Sequence, residues 1–127
     1  MIPQFEKLSK GDQELLMKAP VLLSVLASCS DKEINKTQKA DAIKLAHIKT
    51  FTAVPLLRPY YMEVEKNFQH QFEETAAAFY PFDESKRGAL KMEIRKVQDA
   101  LNRIDKNFAD ALTGSLHRYA SHVKRAT

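Results

Sequence analysis

The stretch that most constrains this chain runs from Leu90 to Phe108. Leu90, Ile94, Val97, Leu101, Ile104 and Phe108 recur at spacings of 4, 3, 4, 3 and 4. That is one apolar stripe with charges on the other faces, the signature of an amphipathic helix. The stripe has to be covered by other helices, and it names no chemistry. Extended without interruption from 84 to 124, the helix would be about 60 Å long. A compact domain of this size is only roughly 35 Å across. Leu112, Leu116, Tyr119 and Val123 also leave the earlier heptad frame. A break is therefore expected within 107–115, with a last helix through Lys124. The alternative is one long helix pairing with another chain.

Other helices are legible upstream. Ser9 reads as an N-cap, with Asp12 at the positive end of the helix dipole. Pro20 ends that short helix and suits the first turn of the next. Residues 21–29 (Val-Leu-Leu-Ser-Val-Leu-Ala-Ser-Cys) are apolar on nearly every side, which predicts a central helix. Asn35 and Gln38 have capping-box spacing. A third helix then runs to the neighbourhood of Pro55. Residues 54–61 are expected to form a tight, mostly buried corner, with Pro59 opening the following helix. Tyr61, Val64, Phe68, Phe72, Ala76 and Phe79 line that helix at spacings of 3, 4, 4, 4 and 3. Pro81 stops it. Asp83 caps the next helix, with Glu84 in the first turn.

The expectation is one all-α domain over residues 1–127, a compact bundle of five to seven helices. Its core should include Leu22, Leu26, Ile43, Phe51, Phe68, Phe72, Leu90, Ile94, Val97, Leu101 and Phe108. Strand-like alternation is absent, and three glycines are few for a hairpin-rich fold.

Several functions drop out. No apolar run reaches the ~20 residues of a membrane span. The first residues lack the pattern of a signal peptide. Cys29 is the single cysteine, so no internal disulfide or Cys-rich zinc site forms, and a reduced, cytoplasmic setting is expected. Cys29 itself reads as a small buried side chain. No histidine follows an acid by three residues, as a di-iron bundle requires, and no two histidines are four apart. There is no Gly-x-Ser-x-Gly elbow and no Gly-rich phosphate loop. The acid pairs Glu63/Glu65 and Glu73/Glu74 diverge around a helix and read as a solvated face. No catalytic residue and no cofactor is expected.

Charge is uneven. Residues 86–127 hold ten Lys/Arg against four Asp/Glu, whereas residues 1–85 carry a net −2. Arg87, Lys91, Arg95, Lys96, Arg103 and Lys106 could meet phosphates, which makes nucleic-acid binding the alternative function. Against it, acids are interleaved. Asp83–Arg87 and Asp99–Arg103 have the i,i+4 spacing of supporting surface pairs.

Residues 23–38 run Leu-Ser-Val-Leu-Ala-Ser-Cys-Ser-Asp-Lys-Glu-Ile-Asn-Lys-Thr-Gln. The segment resembles TerB-like domains, named for tellurite resistance. These place an Asp-Gly-x-Ile/Val-x-x-x-Glu stretch between two apolar helices. Asp31 falls at the motif's Asp and Ile34 near its aliphatic residue, while Lys32 replaces the glycine and Gln38 the final acid. The resemblance implies a compact helical domain of a stress-associated family, with an acidic surface linked to metal binding. Asp31 and Glu33 are then the candidate ligands. Hard cations want six or more oxygens. With Asn35 taken as a cap and Gln38 neutral, no metal is expected here. The reading that remains is a non-enzymatic interaction or scaffold module whose partner is a protein.

Overall fold

The computed structural model describes residues 2–30 and 33–126. Six helices form one all-α bundle: α1 (Lys10–Met17), α2 (Ala19–Ser28), α3 (Lys36–Thr52), α4 (Arg58–Phe79), α5 (Glu84–Leu101) and α6 (Lys106–Arg125). Short 3-10 turns at Pro3–Phe5 and Pro55–Leu57 precede α1 and α4.

The caps sit where side-chain chemistry puts them. Ser9 accepts from the Asp12 N–H at 3.1 Å, Asn35 from Gln38 at 2.9 Å, and Asp83 from Lys86 at 2.9 Å. Asn35 and Gln38 form only half of a capping box. The Gln38 side chain donates to the Lys124 carbonyl at 2.9 Å, tying the start of α3 to the end of α6.

α2 is the hub. It packs against α3, α4, α5 and α6, and touches α1. Val21, Leu22 and Val25 are buried on it, as all-round apolarity requires. α3 and α4 form the most extensive helix pair. Aromatic rings fill the space beside α2. Tyr61 stacks on Tyr119 with centroids 6.2 Å apart, and Phe5, Tyr60 and Phe108 meet edge to face. The hydroxyl of Tyr60 donates to the Leu16 carbonyl and that of Tyr119 to Ala42, both at 2.6 Å, while Tyr61 bonds Ser115 at 2.5 Å.

Five features depart from the sequence reading. The break after α5 lies at 102–105, ahead of the expected window. Asp105 caps α6 by accepting from the Phe108 N–H at 3.0 Å. Asn and Asp favour such positions because their side chains compete for local backbone groups. The stripe survives because four residues of turn replace about one helical turn. Gly114 lies inside α6, where the Arg118 guanidinium comes within 3.3 Å of where a Cβ would stand.

Second, Phe51 is 58% exposed. It falls on the outer side of α3, away from buried Ala42, Leu45 and Ala46. Third, the corner after α3 is mostly exposed, with only Ala53, Leu57, Tyr60 and Tyr61 buried in 53–61. Fourth, Leu26, Ile43 and Ile94 are only partly buried, whereas Leu22, Phe68, Phe72, Leu90, Val97, Leu101 and Phe108 are core as expected. Fifth, Cys29–Ser30 and Glu33–Ile34 pair as a two-residue antiparallel ladder, too short to show as alternation.

The turn after α4 holds one unusual backbone. Phe82 has φ 59° and is 2% exposed. A left-handed phenylalanine is sterically costly, and the burial of its ring holds it there.

Candidate interaction cleft

α5 and α6 follow one another in the chain, yet each packs more closely on α2 than on the other. Both pack on α2 and straddle it. The slot between them is floored by Ala19 and Leu23 of α2 and walled by Ile94, Val97 and Leu101 of α5 with Leu116 and Ala120 of α6. Gln98, Thr113 and His117 stand at its mouth. Leu23 and Ile94 keep some exposure there, while Ala19, Val97, Leu101 and Leu116 are buried. The slot's volume is about 80 Å³. That is well under the ~150 Å³ that accommodates a benzene in an apolar core. The slot fits a side chain of a partner better than a free cofactor.

The rim is basic. Arg87 and Lys91 extend the α5 ridge that carries Ile94 and Gln98, at spacings of 4, 3 and 4. Lys106 and Lys124 lie at the two ends of the α6 ridge that carries Thr113, His117 and Ala120. Asp110 is the carboxylate beside that ridge. Lys91, Lys106 and Lys124 are exposed and have no ion-pair partner among the described residues.

The six cations singled out from the sequence are thus divided. Arg87, Lys91 and Arg95 share one edge of α5. Lys96 emerges about 100° further round, with Glu93 at 3.4 Å. Arg103 is bound to Asp12 of α1 at 2.6 Å. Arg87 sends a nitrogen to the Cys29 carbonyl at 2.6 Å, and its Nε is buried without a partner. Neither Asp83–Arg87 nor Asp99–Arg103 forms the expected ion pair, because each arginine reaches a neighbouring element instead.

At the other candidate sites, Asp31 lies outside the described residues. Glu33 is exposed on the short ladder. No group of three or more His, Cys, Asp or Glu side chains among the described residues could hold a metal ion. All four histidines are exposed, and three of them pair with single acids. His47 meets Glu65, His70 lies 3.3 Å from Glu74, and His122 lies 2.9 Å from Asp41. Cys29 is a buried free thiol.

The strongest displacements from ordinary titration are in the tyrosine core. Burial pushes Tyr61 up to about 12, opposed by its Ser115 bond and the Arg118 charge. Burial also raises Tyr60 and Tyr119 well above the usual phenol range. These groups stay neutral and bonded to helix backbone or to Ser115, so their role is architectural. Partial burial, then the nearby Arg118 charge, lowers the Lys49 ammonium.

No helix among the described residues is long and apolar enough to cross a membrane. Comparisons with protein families, with characterised proteins and with solved structures find no match to this chain. Sequence reasoning missed the cleft for a definable reason. Ile94 reads as core and Leu23 as one side of an all-round apolar helix, and only the packing of α5 and α6 on α2 leaves a space between them.

Proposed function

We propose that the chain is a non-enzymatic interaction module that receives an amphipathic helix of a partner protein in the α2–α5–α6 slot. The observation that carries this reading is the apolar slot left where two consecutive helices straddle α2. A third helix laid over the mouth, with one apolar side chain seated in the slot, would cover what remains exposed of Leu23 and Ile94. Such helices present apolar anchors at i, i+3, i+4 and i+7. The basic rim favours anchors flanked by Asp and Glu, because rim charges steer encounter and reject like-charged partners. A TerB-like relationship, which rests on residues 23–38, would set this role in a stress response.

Phosphate binding by the α5 edge is the weaker reading. Arg103 and Lys96 are occupied by carboxylates, which leaves a short row of cations beside an apolar slot.

The test is selection of binders from a displayed library of helical peptides, followed by chemical-shift mapping on the labelled protein. Enriched peptides should carry an apolar face with acidic flanks, and their shifts should gather at Ile94, Leu116 and His117. Gln98→Trp, which fills the mouth at an exposed position, should abolish binding. Shifts elsewhere, or binding indifferent to Gln98→Trp, refute the reading. Duplex DNA titrated across salt concentrations tests the phosphate reading, whose affinity must fall steeply with salt.

A further inference from the structure

Four of the six large apolar side chains most exposed on the described protein sit at the α3–α4 corner, namely Phe51, Val54, Leu56 and Met62. All four are more than two-fifths exposed. Clusters of this kind mark interaction sites, whereas single exposed apolar residues are ordinary. The cluster is separate from the slot between α5 and α6. None of the four lines that slot or the open groove between α3 and α4. They project from the outside of a bend, so the surface that covers them must yield to them.

Several polar groups of the corner are bonded within it. The Thr50 hydroxyl donates to the His47 carbonyl at 2.6 Å, and that of Thr52 to Ile48 at 3.0 Å. The Ala53 carbonyl accepts from Arg58 Nε at 2.8 Å, and the Val54 carbonyl from the Leu57 N–H at 2.8 Å. Pro55 has no N–H, and its carbonyl takes the N–H of Arg58. Moving a polar group into an apolar medium is costly when it loses its hydrogen bonds. These groups keep theirs.

The surrounding charge is one-sided. Residues 50–57 contain no ionisable side chain and are bracketed by Lys49 and Arg58. Arg118 of α6 approaches Lys49 closely enough for its charge to be felt there. None of the three has a carboxylate partner among the described residues, whereas the nearby acids Glu63 and Glu65 are taken by Lys66 and His47.

We infer that this corner is an interfacial docking site for a membrane rich in anionic lipid. Phe51, Val54 and Leu56 enter the boundary between headgroups and acyl chains, while Lys49, Arg58 and Arg118 meet the phosphates. A bilayer suits the corner better than a protein partner, because it takes a convex apolar surface without a matching pocket. Shallow burial of apolar area together with attraction of basic residues to anionic headgroups is how peripheral proteins are held.

The experiment is co-sedimentation with vesicles of phosphatidylcholine alone and of phosphatidylcholine mixed with phosphatidylglycerol. The full chain should favour the anionic vesicles by at least about tenfold, since each basic residue near such a surface contributes roughly fivefold. Phe51→Ser/Leu56→Ser should lose about tenfold or more without change in thermal unfolding. Met92→Ser, at an equally exposed apolar residue outside the corner, should bind as the parent does. Lys49→Gln/Arg118→Gln should cut the preference for anionic lipid by about tenfold or more. Absence of vesicle binding overturns the inference, as does binding unaffected by Phe51→Ser/Leu56→Ser. A Phe51-dependent self-association in sedimentation velocity, without vesicle binding, assigns the corner to a protein contact and overturns it equally.

Discussion

Tyr60→Phe isolates one hydrogen bond whose value depends on the chain around its acceptor. In a regular helix the Leu16 carbonyl would accept from the N–H of residue 20. That residue is Pro20, which has no N–H to give. The N–H of Lys18 is already shared among the carbonyls of Glu14, Leu15 and Leu16. The Tyr60 hydroxyl, 2.6 Å away in a buried setting, is the strong donor to Leu16. Removing it leaves a buried carbonyl undersupplied, at a cost of roughly 1–3 kcal/mol. Tyr119→Phe is the internal comparison. Its acceptor, the Ala42 carbonyl, lies within α3, where the N–H of Ala46 continues to serve it. Only the net value of one hydrogen bond is then lost, about 0.5–1.5 kcal/mol. Both rings remain and both sites are fully buried, so cavity effects cancel. Urea unfolding followed by circular dichroism, analysed by linear extrapolation, measures both. Tyr60→Phe should be the more destabilising by about 1 kcal/mol. Equal losses, or a smaller loss for Tyr60→Phe, would refute the claim that Pro20 makes Leu16 depend on that hydroxyl.

Stability should fall as pH rises above about 10. The folded-state pKa of Tyr61 is about 12 against about 10 for a free tyrosine, so the unfolded chain loses the proton first. The stabilising contribution is intact below pH 10 and declines through pH 12, at up to ~1.4 kcal/mol per pH unit. Tyrosinate absorbance and urea midpoints at several alkaline pH values check it, and a flat profile contradicts it. Leu101→Ala should cost roughly 2–5 kcal/mol, because Leu101 is 6% exposed. Phe51→Ala should stay within about 0.5 kcal/mol, because Phe51 projects into solvent; calorimetry of the two variants separates them. Asp105→Ala removes the cap at the break between α5 and α6 and should cost about 1 kcal/mol, read as a lower urea midpoint.

The sequence by itself determined the class of the fold and most of its punctuation. Helix faces follow from spacing, as in the buried row Leu90, Val97, Leu101. Caps follow from short polar side chains that satisfy the first free N–H groups, as at Ser9, Asn35 and Asp83. These are interactions over three or four residues, so they are written locally. Tertiary structure decided what local spacing does not encode. Phe51 has the same apolar character as Phe68, but it points outward because α3 turns its small residues, Ala42 and Ala46, toward α2 and α6. The stripe from Leu90 to Phe108 reads as one helix, because a four-residue turn keeps the period. Arg87 and Arg103 read as partners of acids four residues earlier. They bind Cys29 and Asp12 instead, since a long side chain reaches whichever acceptor packing brings near. The open slot beside α2 is the furthest from the sequence. It exists because two neighbouring helices each pack better on α2 than on each other, a choice made by shape over the whole bundle and by no single residue.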